Sequence, residues 1–284
     1  METKKNIVLV PTDFTEVAEY AIIHGASICK MQNYKLALLH IVNRETKSYL
    51  KKEKLTSDVI NERLEKKAKE ISEKYGIVVD FIAREGSIFS TIGEVAKEIG
   101  ANILTLGTHG KIGLQHIVGS YAMKVIESSP TPVIVVQKRG FREGYKNIVL
   151  PIDDTMESKQ KVKWAIYIAR KFNSTVHIFA MYSSDGYRMA KIKGNLRQIK
   201  KFFDQNDIIH TDKMADKKGA FPKQVLSYSQ EIDADMILIM TTNSDALIPN
   251  FIVGKWEEQI LFNNMLIPVM AINPVDLNIV VGGL

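Results

Sequence analysis

The sequence predicts an α/β protein made of two tandem five-stranded parallel-sheet domains with helices on both faces. Three observations carry that prediction. Short apolar runs alternate with longer amphipathic segments along the chain, and strands alternating with helices build a parallel sheet covered on both sides. The whole pattern runs through residue 138 and restarts at 145. The chain has 284 residues, enough for two domains of roughly 140 each.

The elements follow in order. Ile7 to Val10 is a short apolar strand, and Pro11-Thr12-Asp13-Phe14-Thr15 breaks it. Asp13 or Thr15 can cap the next helix, which the spacing of apolar residues extends from Val17 to Lys30. Lys35 to Val42 is the second strand. Asn43 to Lys54 is polar, a loop passing into a helix, and Leu55 to Tyr75 is a long charged helix. Gly76 stands where a helix ends in a left-handed residue. Ile77 to Ala83 is the third strand, and Gly86 to Ser90 opens a helix that Gly100 stops. Ile103 to Leu106 is the fourth strand, Tyr121 to Ile126 a helix, and Pro132 to Gln137 the fifth strand. Residues 139–144 carry two glycines and read as a polar linker.

The second half repeats the first. Asn6 to Asp13 returns as Asn147 to Asp153, one residue shorter. Gly86, Ile92, Ile99 and Ala101-Asn102 return 133 positions later as Gly219, Val225, Ile232 and Ala234-Asp235. Ile117-Val-Gly119 returns as Ile252-Val-Gly254, and Pro132-Val133 as Pro268-Val269. Two copies of one unit account for this. The expected domains are 1–138 and 145–274, followed by a tail, 275–284.

Between the fourth strand and the next helix lies Gly107-Thr-His-Gly110-Lys-Ile-Gly113-Leu-Gln-His-Ile-Val-Gly119-Ser120. Glycines let backbone approach a ligand, and free N–H groups at a helix start attract anions. Ser120 adds a hydroxyl, and phosphate is the expected guest. The loop is neither a Walker A loop nor a dinucleotide fingerprint, since Ile112 follows Lys111 and the G-x-G-x-x-G order is missing. In the second copy Gly107 becomes Met240, Gly110 becomes Asn243 and Ser120 becomes Lys255. The fold signals persist there and the site signals do not.

These motifs resemble the universal stress protein family: Val10-Pro11-Thr12-Asp13, Leu39-His-Ile-Val42, Gly86, and the loop from Gly107 to Ser120. The loop is similar to the family's G-x2-G-x9-G-[ST], with eight residues in place of nine between Gly110 and Gly119. The resemblance implies an adenine-nucleotide alpha-hydrolase-like sheet of order 3-2-1-4-5. It implies ATP, with AMP or ADP as alternatives, often with Mg²⁺. Asp13 and the Val42 backbone would hold the adenine and ribose side. Gly107, Gly110, Gly119 and Ser120 would hold the phosphates, and Pro11, Thr12, Leu106 and Tyr121 would complete the nucleotide site. Pairing of the last strands of the two halves, an intramolecular pseudo-dimer, also follows from it.

Three functions fit: a nucleotide-binding regulatory protein of the stress response with one live site and one pseudo-site, a slow ATP hydrolase or adenylyl-transfer enzyme, and a ligand-free interaction scaffold. The loop offers only Lys111, His109 and Ser120 for chemistry, which disfavours rapid turnover. Net charge is +6, but the lysines alternate with glutamates, as on a solvated helix face, so nucleic acid is not the expected partner. No run reaches the length of a membrane span. A single Cys29 suits a cytoplasmic protein. The apolar Ile279-Val-Val281 of the tail either frays or docks on a sheet edge or a second chain, which would make a homodimer.

Overall fold

The strands of the first half are β1 (Ile7–Pro11), β2 (Lys35–Val42), β3 (Val79–Glu85), β4 (Ile103–Gly107) and β5 (Val133–Val136). Its helices are α1 (Glu16–Gln32), α2 (Arg44–Lys52), α3 (Asp58–Tyr75), α4 (Thr91–Ile99) and α5 (Ile117–Ser128). The second half follows with β6 (Asn147–Ile152), α6 (Lys161–Phe172), β7 (Thr175–Ala180), α7 (Gly186–Gln205) and β8 (His210–Met214). It ends with α8 (Phe221–Glu231), β9 (Met236–Met240), α9 (Trp256–Leu261) and β10 (Val269–Ile272). This computed structural model describes residues 6–108, 117–155, 160–241 and 256–273, with side chains of α5 from Ala122 onward. The tail from 275 lies outside the described residues.

Each half has the strand order 3-2-1-4-5, but the halves do not keep separate sheets. They join into one ten-stranded sheet, β3-β2-β1-β4-β5-β10-β9-β6-β7-β8. The seam is antiparallel, with Val135 opposite Val269, Ile134 opposite Met270 and Val133 opposite Ala271. All other neighbours run parallel. The expected strand pairing therefore occurs within the chain. It covers two apolar edges that would otherwise invite aggregation.

Alternation along the strands divides the core into two layers. Val8, Val10, Leu36 and Leu38 pack with α1, α3, α6 and α7. Ile7, Leu9, Ala37 and Leu39 pack with α4, α5, α8 and α9. Strands buried on both faces must be apolar at nearly every position, which is why they read as continuous runs.

Strand register corrects one alignment. Val8 pairs with Ile103 and Ile148 with Met236, so β1 and β6 correspond at a constant offset of 140 with no residue lost. Asn6 corresponds to Lys146, not Asn147: the carbonyls of Asn6 and Lys146 accept from the amides of Lys35 and Thr175. The pairs from Gly86 to Asn102 keep their offset of 133. The Asn102 side chain accepts from the Ile7 amide, and Asp235 accepts from the Asn147 amide. Gly86 and Gly219 have φ of +153° and +107°, a backbone that side chains disfavour.

The residue that follows the linker anchors the second half. Tyr145 is fully buried beside His24, Phe141 and Phe172. Its hydroxyl donates to His24 Nδ1 at 2.9 Å, and His24 Nε2 donates to the Arg139 carbonyl at 2.9 Å. Two aromatic residues in a polar stretch make the linker a staple between α1 and the second half.

Candidate functional site

The chain breaks after β1 at Pro11, and β1 lies between β2 and β4. Sequential connections leave β1 on opposite sides there, so a crevice opens beyond the carboxyl ends of these strands. It has a volume of about 1030 Å³. Pro11, Thr12 and Asp13 line it from β1, Leu106 and Gly107 from β4, and Ala122 and Val125 from α5. Val42 is buried and does not line it, whereas its neighbours Ile41 and Asn43 do. Gly110 lies outside the described residues. Gly119 and Ser120 fall in the first turn of α5, with Tyr121 following, and their side chains are outside the described set.

Asp13 closes its own loop. Its Oδ1 accepts from the Thr15 amide at 3.0 Å and the Thr15 hydroxyl at 2.6 Å. Thr15 is the N-cap of α1 but makes no side-chain cap bond. Asp153 makes the same turn with Thr155 in the second half. The turn therefore belongs to the fold in both copies, and Asp13 Oδ2 makes no hydrogen bond among the described residues.

Phe14 has φ of +64°. That conformation is strained for a bulky residue, and such strain gathers at functional sites. The ring stacks on His40 with centroids 5.0 Å apart. His40 Nδ1 donates to the Thr12 carbonyl at 2.8 Å, and Nε2 lies 3.2 Å from the Thr46 hydroxyl. Burial holds the His40 pKa below its usual value, against the Thr12 hydrogen bond, so the ring is neutral at physiological pH. His40 thus fixes the floor of the crevice and carries no charge to it.

Gly107 has a cause that sequence reasoning missed. A Cβ built there would stand 2.4 Å from the Val17 carbonyl oxygen in the first turn of α1. Glycine lets α1 begin against the end of β4, and that close approach shapes one wall of the crevice.

Thr108, one residue further, was also missed. It is buried and lines the crevice, and its Oγ1 has no hydrogen-bond partner among the described residues. An unmade hydrogen bond in a buried place is unfavourable by about 1–3 kcal/mol, and such groups need an explanation. Its counterpart Thr241 donates to the Asn273 side chain at 2.6 Å. Only alignment of the copies, with burial known, could have marked Thr108.

The second half places a buried lysine near the corresponding strand end. The αL caps Asn33 and Asn173 match at the offset of 140, which equates Lys161 with Ala21. Lys161 is 1% exposed. Its Nζ donates to the Pro151 carbonyl at 2.5 Å and lies 5.8 Å from the Trp256 ring. Burial pushes its pKa down to about 8, against attraction from Asp153 and Glu257. Met240 stands where Gly107 stands, and α6 begins at Lys161. An ammonium thus sits at the end of β6, the place that corresponds to the open crevice.

A family model described as "Universal stress protein family" matches residues 5–137. Universal stress protein MJ0531 of Methanocaldococcus jannaschii is 30% identical over 138 residues, covering 46% of this chain and 81% of that protein. The chain belongs to the universal stress protein family. A second family member of that organism, MJ0577, is 30% identical over 155 residues, 46% of this chain and 94% of its own length. The crystal structure of a universal stress protein from Archaeoglobus fulgidus matches with a TM-score of 0.77 at 18% identity. It covers 95% of this chain and 99% of that one, so the family fold extends through both halves. Among the described residues, no helix is long and apolar enough to cross a membrane.

Proposed function

We propose that the crevice of the first half binds an adenine nucleotide, and that the second half is a pseudo-site. The observation that carries this reading is the Thr108 hydroxyl, buried without a partner in the wall of a crevice of about 1030 Å³. A ligand oxygen is the simplest partner for it. Volumes of this order suit small-molecule sites. Asp13 Oδ2, with no hydrogen bond among the described residues, suits ribose hydroxyls. The first turn of α5, which includes Gly119 and Ser120, supplies amide donors for phosphate.

The preferred ligand is ATP, with ADP or AMP as weaker alternatives, in keeping with the family resemblance. Mg²⁺ would accompany the phosphates, neutralising their charge when bound. The residues suit the nucleotide itself, with amide donors for its phosphates and the Asp13 carboxylate for its ribose, and phosphate oxygens would ligate the ion. The role is regulatory, within a stress response in the cytoplasm, with slow turnover at most.

The second half supports one nucleotide per chain. Lys161 Nζ bonds the carbonyl of Pro151, the counterpart of the crevice residue Pro11, and Met240 replaces Gly107. Mass spectrometry of small molecules released from the purified protein tests the ligand class. An adenine nucleotide at about one per chain supports the reading. Protein that carries none, and that takes up neither ATP, ADP nor AMP in a titration, rejects it.

A further inference from the structure

The two halves place equivalent helices on one face of the sheet, yet those helices differ in charge. On this face, α1 and α3 carry six Lys and Arg against seven acidic residues. Their counterparts α6 and α7 carry ten Lys and Arg against one acid, Asp204. All four helices bury apolar residues in the same core layer. The fold therefore does not demand the cations, because its first copy is built without the excess.

Most of the cations are also unneutralised. Arg188 pairs with Asp154 and Lys200 with Asp212. Lys191, Lys193, Arg197 and Lys201 are exposed and have no carboxylate partner among the described residues. Exposed apolar side chains accompany them. Tyr187 is 70% exposed and Phe202 51%. Tyr187 and Phe202 lie fifteen residues apart on α7, roughly 22 Å along the helix.

We propose that the α6–α7 face docks on an anionic membrane surface. Clustered lysines and arginines are drawn to acidic headgroups, and protruding apolar side chains enter the interface. Such binding needs no membrane span. Nucleic acid shares the negative charge, but Tyr187 and Phe202 stand roughly 22 Å apart and give no row of neighbouring rings for successive bases, whereas each can enter lipid alone.

The test is co-sedimentation of the full chain with vesicles made of equal parts phosphatidylcholine and phosphatidylserine, beside vesicles of phosphatidylcholine alone. The expected result is binding only to the acidic vesicles, weakened by salt. Lys191→Glu combined with Lys201→Glu should reduce partitioning by about tenfold or more. Phe202→Ser should reduce it at constant charge. The matched reversal on α3, Lys66→Glu with Lys69→Glu, should leave it unchanged. All these positions are on the surface, so melting temperatures should hold. Equal binding to both vesicle types, no binding to either, or equal loss from the α3 and α7 reversals overturns the proposal. So does binding to a duplex or single-stranded oligonucleotide without binding to acidic vesicles.

Discussion

Thr108 joins a structural defect to a proposed use. Its hydroxyl is buried without a partner, so removing it should not harm the empty protein. Thr108→Val keeps the shape and discards the orphan, and the melting temperature should stay level or rise slightly. The same change should weaken ATP binding by about 1 kcal/mol, roughly fivefold to tenfold. Paired calorimetry and thermal melts check both signs. A fall in stability with unchanged affinity would mean that the hydroxyl serves the fold. Thr108 was not legible in the sequence, because its burial depends on closure of β4 against β5, where its amide donates to the Val136 carbonyl at 2.9 Å. Asp13 was legible as a residue of the site region, and its turn with Thr15 recurs at Asp153 and Thr155. The strain at Phe14 is a tertiary effect with no sequence sign.

At the scale of elements, most strands and helix ends were legible because their signals are local. Gly76 ends α3 with φ of +67°, as its position predicted. The burial of Tyr145, the first residue after the linker, was not legible because its partners, His24 and Phe172, are far away in sequence. Gly107 was read as open backbone for a ligand, and its main constraint is the first turn of α1. Gly107→Ala should therefore destabilise the protein by about 1–3 kcal/mol, the usual penalty of forcing atoms into a packed place. Chemical denaturation measures this. An unchanged midpoint would show that α1 shifts freely and that the close approach at 2.4 Å is not a constraint.

The whole molecule is held by the β5–β10 seam and by the staple around His24. Burial is the main reason that the His24 pKa falls from 6.5 to about 4. Between those values the unfolded chain takes up a proton that the folded protein refuses. Stability from this group is complete above pH 6.5, falls as pH drops and is lost by about pH 4. The full difference is about 3 kcal/mol. His24→Gln should flatten that part of the stability–pH curve, and an equally steep curve in the variant would assign the loss to other groups. The strand order within each half followed from the family resemblance. The single ten-stranded sheet required the three-dimensional pairing of Val133–Val136 with Val269–Ile272.

The account turns on an open crevice in the first half and on Lys161 at the corresponding strand end of the second. An isothermal titration with Mg·ATP that counts sites per chain tests this most directly, in the wild type and in the variants Gly110→Val and Asn243→Val. One site is expected in the wild type, none in Gly110→Val, where added methyls invade the phosphate space, and one in Asn243→Val. No binding by the wild type, two sites per chain, or full binding by Gly110→Val would contradict the account.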